Sequence, residues 1–138
     1  VYLVDKIEPE SRQKLINTCK KVAPWIEGKI HNMEDEISPK SLWLVKGMSV
    51  VSTHACGTLT DLTIDIAMTV GGNVAVMPCC YPERKCQAPK ALQSNFGFET
   101  AFDIDRTYKL ENGGYHVHWQ SIPSSITPMN RVIIGSKS

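Results

Sequence analysis

The chain has 138 residues, of which 42% are hydrophobic and 21% charged, with a formal net charge of +1 at pH 7. This composition excludes intrinsic disorder and limits the chain to one domain or a part of one. The near-neutral charge lacks the strong basic footprint of many nucleic-acid-binding proteins, and no apolar run approaches the roughly 18 residues of a membrane span. The chain begins with Val1 rather than methionine, and a strand pattern starts there, so we expect an N-terminal part of the domain to be missing.

The cysteine count indicates the compartment. There are five cysteines, and Cys79 and Cys80 are adjacent. An odd count with this spacing is not a secreted disulfide framework. We therefore predict a reducing, intracellular location.

The first third of the chain predicts a strand, a helix and a second short strand. Val1–Val4 is wholly apolar, which is typical of a strand buried on both faces. Pro9 suits the first position of a helix, and Pro24 ends it. Its predicted apolar stripe consists of Leu15, Ile16, Cys19, Val22 and Ala23. Residues 28–33 form the second short strand.

The middle third predicts a strand, a helix and a strand. Residues 49–54 are rich in β-branched side chains, and residues 73–77 are apolar. Between them, Thr58 or Thr60 is placed to cap a helix that ends at Gly71-Gly72. Its expected apolar stripe is Leu59, Leu62, Ile66 and Val70.

The last third predicts helices over residues 89–95 and 101–111, and strands over residues 115–119 and 131–135. A hairpin turn at residues 111–114 is the competing interpretation of the second helix end. The complete order of elements is that of an α/β protein, with a mostly parallel sheet and an antiparallel C-terminal strand pair.

Ligands of open α/β sheets bind at the carboxyl ends of the strands, so the residues there are the candidate site. Asp5 ends the first strand, where a carboxylate can accept hydrogen bonds from both ribose hydroxyls; a helix N-terminal acid is the structural alternative. Glu34 and Asp35 follow the second strand, where an acid can meet an adenine amino group. A solvated charge run, which includes Glu36, is the alternative for these two.

The third strand ends in His54-Ala55-Cys56-Gly57, just before a helix. Gly57 permits a tight turn or close approach of a ligand, and the helix N-terminus favours an anion or a thiolate. A buried structural histidine and a small apolar cysteine are the alternative.

The next strand ends in Pro78-Cys79-Cys80-Tyr81. If the two strands are neighbours, His54 and the cysteines meet, and such a group can bind zinc or be redox-active. The Cys-x-x-Cys pairs of ordinary zinc sites are missing, however, and adjacent cysteines rarely ligate one metal. We therefore predict no metal site here, and favour packing around a ligand pocket. His116 and His118 alternate with Tyr115, Val117 and Trp119, and metal binding there is disfavoured as well.

The paired segments His54-Ala55-Cys56-Gly57 and Cys79-Cys80-Tyr81 resemble a group of S-adenosylmethionine-dependent methyltransferase-like proteins. That group has a His-x-Cys-Gly turn and a Cys-Cys-Tyr or Cys-Cys-His strand end, and it is similar to tRNA 2′-O-methyltransferases. The shared signature covers roughly residues 49–82.

The resemblance implies a class I methyltransferase fold, Rossmann-like, and S-adenosylmethionine as cofactor. It implies a role for each strand end. Asp5 would bind the ribose, Glu34 or Asp35 would lie near the adenine, and His54 would act as the base. The cofactor would also be lined by Ala55, Cys56 and Gly57, and the substrate cleft by Pro78, Cys79, Cys80 and Tyr81.

The family's first strand and its glycine-rich loop would precede Val1, so we expect residues 1–138 to run from the family's second strand to its C-terminus. The main hypothesis is the C-terminal part of a methyltransferase, with RNA as a candidate substrate, active when the N-terminal part is supplied. A partner chain that completes the sheet is one alternative. The other is a catalytically degenerate subunit with a structural or binding role in a larger complex. No membrane association is expected.

Overall fold

The computed structural model describes residues 1–137 and divides the chain into two compact units, Val1–Ser38 and a second that begins at Pro39. Strands and helices alternate in both units, so the predicted α/β class is confirmed. Within these 137 residues, no helix is long and apolar enough to cross a membrane.

The first unit is a parallel strand pair connected by a helix. Strand β1 is Tyr2–Asp5, helix α1 is Ser11–Val22, and strand β2 is His31–Glu34, with a 3-10 turn at Pro24–Ile26 before β2. The register pairs the last residue of β1 with the last residue of β2. A strand–helix–strand crossover of this kind is the connection that a parallel pair requires.

Burial in the first unit differs from the sequence prediction. Tyr2 is 43% exposed, so β1 is not buried on both faces. Leu15 and Val22 of the predicted stripe on α1 are exposed, whereas Ile16 is buried. In a sheet of two strands each strand is an edge strand, and an apolar run alone does not reveal that situation.

The second unit contains a four-stranded mixed sheet. Strand β3 is Val50–Thr53, β4 is Val74–Met77, β5 is Tyr115–Ser121 and β6 is Arg131–Lys137. The spatial order is β3-β4-β6-β5, in which β3 and β4 are parallel and β6 is antiparallel to both its neighbours. The predicted antiparallel C-terminal pair is therefore present, and β6 lies inside the sheet.

Three helices accompany this sheet. Helix α2 is Leu59–Val70, α3 is Lys90–Phe96 and α4 is Phe98–Asn112. A 3-10 turn at Glu83–Lys85 precedes α3. Gly97 separates α3 from α4 with a φ of +79°, a conformation that favours glycine. The helical interpretation of residues 101–111 is confirmed, and the hairpin alternative is wrong.

The core of the second unit lies between the sheet and helices α2 and α4. It consists of Ile64, Ala67, Val74, Val76, Leu110, Tyr115 and Ile133. The Tyr115 hydroxyl lies 3.0 Å from the carbonyl oxygen of Ala67 and 2.9 Å from that of Gly72. This one side chain therefore fastens the C-terminal end of α2 to β5, and its polar atom is satisfied inside the core.

The predicted stripe of α2 is buried in its C-terminal half, at Ile66 and Val70, and not at its start. Leu59 is exposed, whereas Thr60 and Thr63 are buried. The threonine hydroxyls are satisfied locally, because Thr60 donates to the Ala55 carbonyl at 2.6 Å and Thr63 donates to the Leu59 carbonyl at 2.8 Å. Thr60 thus braces the turn before the helix instead of capping it, and Thr58 forms no side-chain cap. A search for apolar residues at helical spacing misses a buried face that includes threonines whose hydroxyls are hydrogen-bonded to nearby carbonyls.

Candidate functional site

The carboxyl ends of β3 and β4 lie side by side. The parallel register pairs Thr53 with Met77, and the His54 amide donates to the Met77 carbonyl at 3.0 Å. The two segments that the sequence singled out, residues 54–57 and 78–81, therefore leave the sheet at the same edge. This is the edge at which ligands bind in open α/β sheets.

The chain turns sharply after β3. His54 has a φ of +54°, and Gly57 has a φ of +62°. Among the described residues, His54 is the sole residue other than glycine with positive φ. Histidine tolerates this left-handed conformation better than most side chains, although it remains uncommon. The turn leaves the His54 side chain exposed at the strand end.

Three cysteine sulfurs converge at this edge. The Cys56 Sγ lies 3.1 Å from the Cys79 Sγ, and the Cys79 Sγ lies 3.7 Å from the Cys80 Sγ. All three sulfurs lie within 4.8 Å of one another, and all three cysteines are free thiols. We call Cys56, Cys79 and Cys80 the thiol cluster. Within residues 1–137, neither His54 nor Cys86 belongs to it.

The thiols of this cluster differ in acidity. Hydrogen bonds from the Cys79 thiol, and next from the Cys80 thiol, favour the Cys56 thiolate and lower the pKa of Cys56. The same hydrogen bond to Cys56, with a contribution from burial, raises the pKa of Cys79 to about 12. Cys56 is exposed as well, so its thiolate is accessible to reagents from solvent.

The residue after the thiol cluster joins a buried charge network. The Tyr81 hydroxyl donates to Asp103 Oδ2 at 2.9 Å, and Arg131 donates to the same oxygen at 2.7 Å. Arg106 donates to Asp103 Oδ1 at 3.1 Å and makes two hydrogen bonds, of 2.8 and 3.2 Å, to Asp61. Asp103 is completely buried and Arg106 is 2% exposed.

The positive and negative charges of this network balance. Two carboxylates face two guanidinium groups, and the Arg106 guanidinium lies 4.3 Å from the centroid of the Phe102 ring. Burial, and next the charge of Asp103, raises the pKa of Tyr81, so that its hydroxyl remains a donor. The network joins the segment after β4 to α2, α4 and β6.

The acids of the first unit also lie at strand ends. The register places Asp5 directly opposite Glu34 at the carboxyl ends of β1 and β2. Asp5 Oδ2 lies 3.5 Å from the Arg12 guanidinium, and the Asp5 side chain is half exposed. The Asp35 amide donates to the Asp5 carbonyl at 3.0 Å, and the Glu36 carboxylate lies 3.8 Å from Lys6 Nζ. The structure therefore places Asp5 and the acids that follow β2 at the same end of this strand pair.

An open groove of about 720 Å³ lies along α2 and α4. Asp61, Asp65, Arg106 and Lys109 are among its lining residues, and neither His54 nor the thiol cluster lines it. The groove therefore follows the helices and does not coincide with the strand-end site.

Comparison with known proteins supports the fold. The fibrillarin pre-rRNA processing protein of Methanococcus jannaschii superimposes with a TM-score of 0.59 and 14% sequence identity, over 99% of this chain and 55% of that one. The chain thus has an α/β fold of the Rossmann-like type found in methyltransferases.

Similarity in amino-acid sequence covers less of the chain than the structural similarity does. A glutathione S-transferase C-terminal domain-containing protein of Xenopus laevis is 27% identical in an alignment that covers 62% of this chain and 20% of that protein. No protein-family model matches. The chain therefore spans about half the length of its structural neighbour and a fifth of the length of its curated relative.

Replacement of Asp103 by Asn tests the charge network. It leaves Arg106 and Arg131 facing a neutral group, and we expect it to lower the free energy of unfolding by about 3–5 kcal/mol, as when one partner of a buried ion pair is removed. Asp105→Asn, two residues away and less buried, should change that free energy by less than about 0.5 kcal/mol. Urea unfolding followed by circular dichroism measures both, and equal effects would contradict the assignment.

Alkylation by iodoacetamide tests the acidity of the thiols. Because the thiolate is the reactive form and the pKa of Cys56 is lowered, Cys56 should react at lower pH than an ordinary cysteine thiol, with a chelator present. Cys79→Ala removes the first hydrogen bond to the thiolate and should shift the pH–rate profile of Cys56 upward; Cys86→Ala should not. Mass spectrometry reads each site, and an unshifted profile in Cys79→Ala would disprove this account.

Proposed function

We propose that this chain is the C-terminal part of an S-adenosylmethionine-dependent methyltransferase that acts on RNA. One observation carries the proposal: in a methyltransferase-like fold, Asp5 and Glu34 are direct neighbours at the carboxyl ends of a parallel strand pair. Acidic side chains at such strand ends accept hydrogen bonds from the ribose hydroxyls of bound nucleotides.

These carboxylates can accept the hydrogen bonds that the ribose hydroxyls and the adenine amino group of the cofactor donate. A carboxylate offers about four acceptor positions, and the 3.5 Å contact of Asp5 with Arg12 uses one oxygen at the outer limit of a hydrogen bond. Asp5 therefore keeps the capacity to accept both ribose hydroxyls. Glu34 or Asp35 would accept a hydrogen bond from the adenine amino group. The cofactor, when bound, supplies the methyl group.

Further roles are assigned to residues of the second unit. We assign His54 the role of the base that takes the proton of an attacking hydroxyl, because its side chain is exposed at the end of β3. Ala55, Cys56 and Gly57 would line the cofactor. Residues 78–81 would form the edge of the substrate cleft, and Tyr81, fixed by Asp103, would give that edge a rigid position.

RNA as the acceptor rests on two similarities. The signature of residues 49–82 resembles tRNA 2′-O-methyltransferases, and the structural neighbour is described as a pre-rRNA processing protein. A ribose hydroxyl is a nucleophile that needs a base and an aligned approach, which a strand-end histidine supplies.

A second candidate is a degenerate, non-enzymatic subunit that binds protein or RNA in a larger complex. The ion pair between Asp5 and Arg12 favours it, because it occupies part of the proposed ribose ligand. A partner chain that completes the sheet would restore binding of the cofactor.

Calorimetry with S-adenosylmethionine separates the candidates. We compare this chain with a form extended by any residues that the gene encodes before Val1, and we expect the extended form to bind. Asp5→Asn in that form should weaken binding about tenfold or more, because a charged acceptor of two hydrogen bonds is lost. Glu10→Gln, an exposed acid away from the strand ends, is the control and should bind normally. No binding by either form would favour the degenerate subunit.

Methyl transfer tests the role of His54. In the extended form with total RNA and radiolabelled cofactor, His54→Ala should lower turnover about 100-fold, the usual contribution of a general base. His118→Ala, which removes an exposed histidine of β5, should leave turnover unchanged. Normal turnover in His54→Ala would remove this residue from the mechanism.

A further inference from the structure

We propose that the thiol cluster is a metal site in which the sulfurs of Cys56, Cys79 and Cys80 bind one Zn²⁺. The cluster is the single group of three or more potential ligands that converge within residues 1–137. The proposal goes beyond methyl transfer, because it requires neither the cofactor nor a substrate.

The spacing of the sulfurs fits one ion. Zinc binds thiolate sulfur at about 2.3 Å, so the sulfurs of a tetrahedral site are separated by about 3.8 Å. The Cys79–Cys80 separation of 3.7 Å matches this value, the Cys56–Cys79 separation of 3.1 Å is slightly shorter, and no pair exceeds 4.8 Å. A modest rotation of the exposed Cys56 side chain would bring all three sulfurs to the coordination distance.

The backbone places these ligands without help from a metal. The pairing of β3 with β4 brings the two segments together, and the hydrogen bond from Thr60 to the Ala55 carbonyl holds the turn that carries Cys56. On the other side, Tyr81 is fixed by Asp103. Pro78 follows the end of β4, so Cys79 and Cys80 lie outside the strand and are free of its alternation between faces. Adjacent cysteines can therefore turn to one point.

The ligand chemistry selects zinc among the common divalent cations. Thiolates suit thiophilic ions and not Mg²⁺ or Ca²⁺, which take oxygen ligands. Three protein ligands leave the fourth position of a tetrahedral zinc ion to water or to another molecule. Cys56 and Cys80 are exposed, so the ion has direct access from solvent. Bound zinc would cross-link the turn after β3 to the segment after β4.

Zinc binding is measured on this chain after full reduction and removal of metal. In competition with a chromophoric chelator, the wild type should bind one Zn²⁺ per chain, and Cd²⁺ should produce sulfur-to-metal charge-transfer absorbance. Cys79→Ser should weaken zinc binding by about a hundredfold or more, since loss of a ligand exceeds the cost of changes outside the ligand shell. Cys86→Ser and Cys19→Ser are matched controls that should bind as the wild type does.

Protection from alkylation keeps the test independent of variant folding. In the wild type, Zn²⁺ should protect Cys56 and Cys80, the two exposed thiols of the cluster, and leave Cys19 and Cys86 reactive. Equal zinc binding by the wild type and a folded Cys79→Ser variant would place the ion elsewhere and overturn the proposal. So would the absence of zinc binding by the reduced wild type, or protection of a different set of cysteines. None of these results depends on S-adenosylmethionine, so failure here is distinguishable from failure of the proposed function.

Discussion

The charge of Asp103, sealed from solvent between two guanidinium groups, is the constraint on which the second unit depends. A buried carboxylate is tolerated only when it is paired and hydrogen-bonded, and Arg106, Arg131 and Tyr81 together meet that requirement. Each partner comes from a different part of the chain: α4 itself, β6 and the segment after β4. Satisfying one carboxylate therefore fixes the position of three elements, and Asp61 extends the same order to α2. Through the Tyr81 hydroxyl, the same network also holds the strand-end segment next to the thiol cluster.

Most strands and helices could be predicted from short stretches of sequence, because apolar runs mark buried strands and glycines mark the ends of helices. The runs that became β3, β4 and β6, and the helix end at Gly71, were located within a few residues. The errors came from effects that lie outside a short window. The exposure of Tyr2 depends on how many strands the sheet has, and the burial of Thr60 depends on a carbonyl that the turn presents to it.

The sequence could predict which segments lie together at the candidate site, but not the hydrogen bonds and ion pairs that hold them there. The rule that ligands bind at the carboxyl ends of strands selected residues 54–57 and 78–81, and the structure brings these segments together. The role of Tyr81 as a partner of Asp103 was missed, because Asp103 and Arg106, three residues apart, look like an ordinary pair on a solvated helix face. The available signal was helical spacing: Phe102 and Leu110 lie four residues before and four residues after Arg106, so the three side chains share one face of α4, and that face is buried. The convergence of adjacent cysteines also depends on the end of β4, which sequence patterns place only approximately.

The position of β6 has a consequence for biosynthesis. This strand follows β5 along the chain but lies between β4 and β5 in the sheet, so its residues 133–135 pair with residues 74–76 across almost sixty intervening positions. While the polypeptide emerges from the ribosome, the β3–β4 pair and α2 can associate early, yet one edge of β4 stays unpaired until β6 is made. An apolar strand with an open edge is a template for wrong pairing with other chains. Nascent chains of this protein are therefore most vulnerable to aggregation in the interval between synthesis of β4 and synthesis of β6.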